Sequence, residues 1–270
     1  MRPSRPELVL CSGSLGDVPL PVKIRAAAEA GFGWISMYGY EYDAAVAGGL
    51  DVASALHDAH LRVAEIDGVA TSLFDPDAFG RALDIAVTVG ARSVTIVETT
   101  SFNPTDLEQM GHATDAFAAA CARAATHDVL VHLEPFAWSP LATTGDAATI
   151  ITGAAQPNGG LLLDLWHHLR GPDAGNLHEA VDPTMLIGLQ LADTVATRWA
   201  NVRDECMQQR LLPGDGHGDL AGHVATLASL GPLPPVGVEV FGETLRRLEP
   251  TEGAVRCRAA VERTLAEAGL

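Results

Sequence analysis

Short apolar runs alternate with stretches of helical spacing from one end of the chain to the other. Residues 8–11, 34–37, 62–66, 93–97, 129–133, 161–163, 186–191 and 236–240 read as strands. Helical periodicity falls between and after them, over 22–30, 43–59, 76–89, 105–127, 146–154, 177–181, 220–230 and 252–268. Gly31 and Gly90 close two of these helices, and Thr105 with Glu108 three residues on has the spacing of a capping box. The strands are continuous apolar runs, as expected of a parallel sheet covered by helices rather than one wetted on a face. Eight β–α units in succession predict closure into a (β/α)8 TIM barrel, a single domain over 1–270 with residues 1–6 as a flexible tail. An open doubly wound sheet is the alternative. No GxGxxG follows the first strand, however, which removes its commonest use.

Composition narrows the reading further. A length of 270 residues, 47% of them hydrophobic, suits one barrel, a fold of about 250 residues. No apolar run approaches the roughly 18 residues of a membrane span. The basic start, Arg2 and Arg5 before residues 8–11, is too brief for a signal peptide and reads as a frayed tail. Seventeen Lys and Arg stand against 34 Asp and Glu, a formal charge of −17, which repels phosphate backbones and argues against nucleic acid as a partner. Cys11, Cys121, Cys206 and Cys257 are scattered and read as reduced thiols of a cytoplasmic protein. Of these, Cys11 at a strand end is the candidate to meet a ligand.

The chemistry concentrates in the second half of the chain. A barrel enzyme works at the C-terminal ends of its strands, and four strands end on metal-competent oxygens: Glu134, Asp164, Gln190 (with Asp193 after it) and Glu239. Any one of them has an ordinary explanation as a helix cap or an ion-pair partner. Together they are harder to dismiss, because no Lys or Arg lies inside those four strands to neutralise the three carboxylates. Three carboxylates converging on one pocket repel and raise one another's pKa unless a cation sits among them. Such oxygen-rich ligation suits Mn2+ or Mg2+, with Co2+ or Zn2+ as competitors.

Four segments carry a family resemblance: Leu133-Glu-Pro135, Asp164-Leu-Trp-His167, Gln190-Leu-Ala-Asp193 and Leu212-Pro-Gly-Asp-Gly-His-Gly-Asp219. With them the chain resembles the xylose isomerase-like barrels, the sugar phosphate isomerase/epimerase family, over most of its length from Ile24 to Val240. The family includes ketose epimerases, hydroxypyruvate isomerases, inosose and 3-dehydroshikimate dehydratases and, more distantly, endonuclease IV. The resemblance implies Glu134, Asp164, Gln190 and Glu239 as metal ligands, His167 as a substrate contact, and a homodimer or homotetramer. Gln190 departs from the histidine of many sugar epimerases. It replaces a nitrogen ligand with a neutral oxygen, which argues against Zn2+, and some dehydratase-like relatives carry glutamine there.

The resulting expectation is a divalent-metal-dependent isomerase or epimerase that removes a proton α to a carbonyl of a small polyhydroxylated substrate. Glu134 and Glu239 are the candidates for proton transfer, with His167 or His132 as an alternative acid. His132, Arg210 and His217 are the further candidates to touch substrate. Glu65 and Glu98 end earlier strands and either line the mouth or cap helices, and Trp34, Trp138 and Trp166 are candidate walls. The long connection over 194–213 reads as a lid or a subunit contact. A metal-dependent dehydratase is the second reading, and a catalytically silent ligand-binding barrel is the reading outside enzymology. The acidic surface disfavours the DNA-directed relative.

Overall fold

The computed structural model describes residues 5–69, 73–175, 177 and 181–270. Eight parallel strands follow one another around a closed barrel: β1 (Leu8–Leu10), β2 (Trp34–Tyr38), β3 (Arg62–Val69), β4 (Ser93–Val97), β5 (Leu130–Glu134), β6 (Gly159–Asp164), β7 (Leu186–Leu191) and β8 (Val236–Val238). β8 pairs back onto β1, with Val9 opposite Gly237. Closure leaves no strand edge unpaired. The expected (β/α)8 architecture is therefore the observed one, as a single domain.

The continuous apolar runs are explained by burial on both sides. All five residues of β4 are buried. Helices supply the outer layer, and residues such as Phe117, Ala254 and Leu265 join the strands in one hydrophobic cluster. Inside the barrel the side chains turn polar. Glu65 on β3 hydrogen-bonds Gln190 on β7, a strand that is not its neighbour, so both point into the interior. Alternation then places Asp67 with Glu65, and Glu134 with His132, on the same inward faces.

Several boundaries differ from the pattern reading, each for a local reason. The helix expected over 43–59 is two, Gly39–Ala47 and Val52–Asp58, separated at Gly48-Gly49, where Gly49 has φ 87°. Two successive glycines cost a helix about 1 kcal/mol each relative to alanine. The helix expected from Thr105 spans Leu107–Ala125, and its cap is Asp106, whose Oδ1 accepts from the N–H of Glu108 at 3.0 Å. A carboxylate at that end also meets the helix dipole favourably. Strand β8 stops at Val238, so Glu239 lies just past it. The helix read over 177–181 falls mostly outside the described residues. Four short helices among the described residues were not anticipated: the 3-10 helix Ser12–Leu15, Leu165–Arg170, capped by Asp164 itself, Val202–Gln208 inside the long connection, and Glu243–Arg246. Among the described residues no helix is long and apolar enough to cross a membrane.

Candidate active site

The C-terminal ends of the strands surround a cavity of about 350 Å3. Its acidic side is formed by Asp67, Glu134 and Glu239, and its walls include Tyr38, Phe136, Trp138 and Phe241. A larger hollow, about 580 Å3, lies on the flank beside the helix Gly39–Ala47. Its one buried acid, Glu41, is already tied to Lys23 and Ser12, so the chemistry belongs to the smaller cavity.

Asp164 ends β6 and does two things at once. Its Oδ1 accepts from the Trp166 N–H at 2.8 Å, capping the following helix, while Oδ2 faces the cavity cluster. His167 sits on that helix one turn on, stacked on Phe136 with ring centroids 4.4 Å apart. Oxygens of Glu134 and Asp164 and a ring nitrogen of His167 lie within 4.8 Å of one another, a group that could hold a metal ion. All three residues are buried.

The electrostatics of this group are unfavourable as it stands. Burial pushes the Glu134 carboxyl well above the usual carboxylate range, and Asp67, Glu239, Asp164 and Glu65 push it further the same way. Glu239 is lifted to about 7, chiefly by burial, with Arg210 opposing. Asp164 is raised by burial, again against the pull of Arg210. His167 is held well below its ordinary value by burial and by the positive charge of Arg210, so its imidazole is neutral.

Arg210 corrects one premise of the sequence reading. No base lies inside strands β5 to β8, but this arginine arrives from the connection between β7 and β8. Its Nη1 donates to Asp164 Oδ2 at 2.6 Å and to Glu239 Oε2 at 3.2 Å, and Nη2 lies 3.0 Å from His167 Nε2. The guanidinium is held between the rings of Trp166 and Phe241, at 4.9 and 4.8 Å. Arg210 borders the cavity as expected of a substrate contact, yet its donors are largely engaged by the protein. The guanidinium pairs with two of the four carboxyl groups gathered at this end of the barrel, Asp164 and Glu239.

Gln190 is 1% exposed, its Nε2 donates to Glu65 Oε1 at 3.1 Å, and its Oε1 is buried without a partner. The side chain fits because position 237 is glycine: a Cβ there would come within 3.1 Å of Gln190 Cγ and 2.6 Å of Cys11 Sγ. An orphaned amide oxygen, three carboxylates and a neutral imidazole make a donor set that suits a divalent cation.

Other expected contacts lie elsewhere. His132 is buried inside the barrel below the cavity, with Nδ1 3.0 Å from Glu65 Oε2, and does not border the cavity. His217 is exposed and outside it; the glycines around it serve Asp193 instead. The N–H groups of Gly214, Gly216 and Gly218 converge on the Asp193 carboxylate at 2.8–3.1 Å, joined by that of Thr194 at 2.7 Å. Glu98 organises its own loop, accepting from the N–H of Leu73 and Thr100. Cys11 is fully buried, and Trp34 starts β2 at the opposite end of the barrel. Trp138 does wall the cavity. Asp67, Phe241 and Arg246 line it without having been singled out. Asp67 alone carried a signal, two residues after Glu65 on one strand face.

The connection from β7 to β8 closes over one side of the mouth. Its helix Val202–Gln208 brings Cys206 and Met207 to the cavity. Bridges Asp193–Leu211 and Gln209–Gly242 fasten its return, and Glu205, fully buried, binds Arg170 at 2.6 Å.

A closed parallel barrel with a buried acidic cluster at its C-terminal mouth defines the class: a (β/α)8 barrel with a candidate metal centre. The sequence profile of the xylose isomerase-like TIM barrel family matches residues 24–261, and the chain belongs to that family. No curated protein matches the sequence significantly. Among solved structures it is similar to a xylose isomerase-like TIM barrel/4-hydroxyphenylpyruvate dioxygenase fusion protein, at 18% identity and TM-score 0.85. That match covers 98% of this chain and 43% of the fusion, so the chain spans less than half of its length. It is also similar to the IolI protein with a bound zinc atom (17% identity, TM-score 0.86, covering 97% of this chain and 99% of that one). A D-allulose 3-epimerase from Methylomonas sp., in complex with D-allulose, matches at 16% identity and TM-score 0.73, covering 97% and 98%. At these identities the likeness concerns the fold.

Proposed function

We propose that the chain is a divalent-metal-dependent isomerase or epimerase that abstracts a proton α to a carbonyl in a small polyhydroxylated substrate. The observation that carries this is the convergence of Glu134, Asp164 and His167 within 4.8 Å, together with Gln190, in register with Asp164 on the adjacent strand, whose buried oxygen has no partner. Glu134, Asp164, Gln190 and Glu239 would hold the ion, with His167 as a further donor. The oxygen-rich set favours Mn2+ or Mg2+; the imidazole admits Co2+ or Zn2+, and zinc is the ion in the IolI structure. A bound divalent ion polarises a substrate carbonyl and acidifies the neighbouring C–H.

The remaining work falls to the chain's own groups. Glu239 and Glu134, both on the cavity wall, are the carboxyl groups placed to accept and return the proton. Arg210 fixes Asp164 and Glu239, and burial together with its positive charge keeps His167 neutral, which makes that imidazole a hydrogen-bond partner or base rather than an acid. The aromatic walls exclude water, and about 350 Å3 suits a compact polyol. The dehydratase reading, in which a β-hydroxyl departs, draws its support from glutamine at position 190. With His132 outside the cavity and His167 neutral, its acid would have to be Glu134 or Glu239.

Solvent exchange tests the proposal. The metal-loaded protein, incubated in D2O with a panel of ketohexoses and inososes, should place deuterium on the carbon next to the carbonyl of at least one, read by NMR. The Glu239→Gln variant should lose that exchange while keeping its fold. Full metal occupancy with no exchange on any panel member would favour a barrel that binds without turnover.

A further inference from the structure

Gln190 poses a question of orientation. Its amide has a carbonyl oxygen that can accept or ligate and an NH2 that can only donate. The terminal torsion is broad and roughly two-fold, so exchanging the two ends costs little by itself. Something must choose between them. In the barrel, Nε2 donates to Glu65 Oε1 at 3.1 Å, so the NH2 is the end that faces Glu65. The oxygen is left buried and unpartnered, an arrangement that is ordinarily destabilising.

Glu65 is itself held in place. Its Oε2 lies 3.0 Å from His132 Nδ1 and 3.2 Å from Thr95 Oγ1, and these two are 3.3 Å apart. The network joins β3, β4, β5 and β7 one layer below the cavity, and none of its members borders that cavity. Register puts Gln190 level with Asp164 on the adjacent strand, while Glu134 stands two residues beyond His132. The layer therefore lies directly under the candidate ligands.

We propose that Glu65 is a positioning residue, braced by Thr95 and His132, that fixes the Gln190 amide so that its oxygen is the end left for a cation. This rests on the metal centre proposed above and adds what makes a neutral glutamine serve in it. Glu65 acts through Gln190 and touches neither ion nor substrate.

The test is a double-mutant cycle on Mn2+ affinity, measured by chelator competition on wild type, Glu65→Leu, Gln190→Ala and the double variant, each melted in chelator to confirm folding. Replacing Glu65 removes a negative charge and weakens any nearby cation site, but that loss appears in both backgrounds and cancels in the cycle. Loss of orientation appears only where Gln190 is present. The expected result is an excess weakening of about tenfold or more in the Gln190 background, the range typical for partners that orient a ligand. Equal losses in the two backgrounds overturn the inference while leaving the metal centre intact. A wild type that binds no Mn2+ removes both. Should Glu65→Leu not fold, Glu65→Asp runs the same cycle with the charge kept and the carboxylate withdrawn by one methylene. In a Mn2+-loaded crystal structure of the unmutated chain, Gln190 should ligate through oxygen with Nε2 on Glu65; a side chain turned away from the ion contradicts the proposal.

Discussion

Asp193 illustrates how much one carboxylate can hold. It receives four backbone N–H groups, two on each oxygen: Thr194 and Gly218 on Oδ1, Gly214 and Gly216 on Oδ2. The approach requires glycine, since a Cβ at 216 would sit 2.6 Å from Asp193 Oδ1 and one at 218 would sit 2.8 Å from it. Asparagine in its place would turn an NH2 toward two of those donors, leaving them without an acceptor. At roughly 1–3 kcal/mol for each unmet group, Asp193→Asn should cost about 3 kcal/mol. For a domain of this size that lowers Tm by about 6 °C, readable by scanning calorimetry. An unchanged Tm would mean that the loop does not depend on this acceptor. The strand-end residues Glu134, Asp164, Gln190 and Glu239 were legible in the sequence because oxygen donors are conspicuous where apolar runs end. The glycines around His217 read as room for a ligand, because glycines that admit a carboxylate look the same in sequence as glycines that admit a ligand. The partners of Arg210 were beyond reach, since a charge carried on a long connection has no register that ties it to a strand.

The element that most shapes the mouth is the connection between β7 and β8. Sequence spacing exposed the eight strands and the long helices, whose periodicity is strong. The helix Val202–Gln208 was missed although Asn201, its cap, accepts from the N–H of Arg203 and Asp204 and was there to be read. A helix this short shows too little periodicity for its apolar face to stand out. What fixes the segment is tertiary: Arg170 reaches across to Glu205 at 2.6 Å and to the Val195 carbonyl at 2.6 Å, and Glu205 also accepts from the Trp199 N–H. Breaking a buried pair on one side strands the other charge, at about 3–5 kcal/mol. In this segment that energy exceeds what local contacts can restore, so Arg170→Ala should release the connection while the barrel stays folded. Trypsin should then cut at Arg198 or Arg203 faster than in wild type, with cleavage sites read by mass spectrometry. Equal cleavage rates would show that the bridges Asp193–Leu211 and Gln209–Gly242 suffice to hold it.

Across the whole molecule the charge is −17, and the acidic cluster in the mouth is the part of it that water cannot screen. Surface carboxylates on such a chain are relieved by any added salt, whereas those in the mouth are relieved by protons, by Arg210 or by an ion small enough to enter. This distinction makes stabilisation by a divalent cation diagnostic. An ion bound by the native state alone, at a hundredfold its Kd, adds about 2.7 kcal/mol, which for a chain of this length raises Tm by about 5 °C. The shift should appear with micromolar Mn2+ against a background of about 0.15 M salt, where the screening length is about 8 Å and surface pairs gain nothing further from so little divalent ion. Chelator should reverse it. Glu134→Gln should remove most of it, because the variant takes a negative charge from the cluster without changing the surface; Glu243→Gln, which removes one exposed carboxylate paired with Arg247, should leave it whole. If both variants keep the full shift, the ion is acting on the outer field of the protein and the cluster is an arginine-bridged structural knot. If only Glu134→Gln abolishes it, the acids are gathered around a cation, and the barrel mouth is built for one.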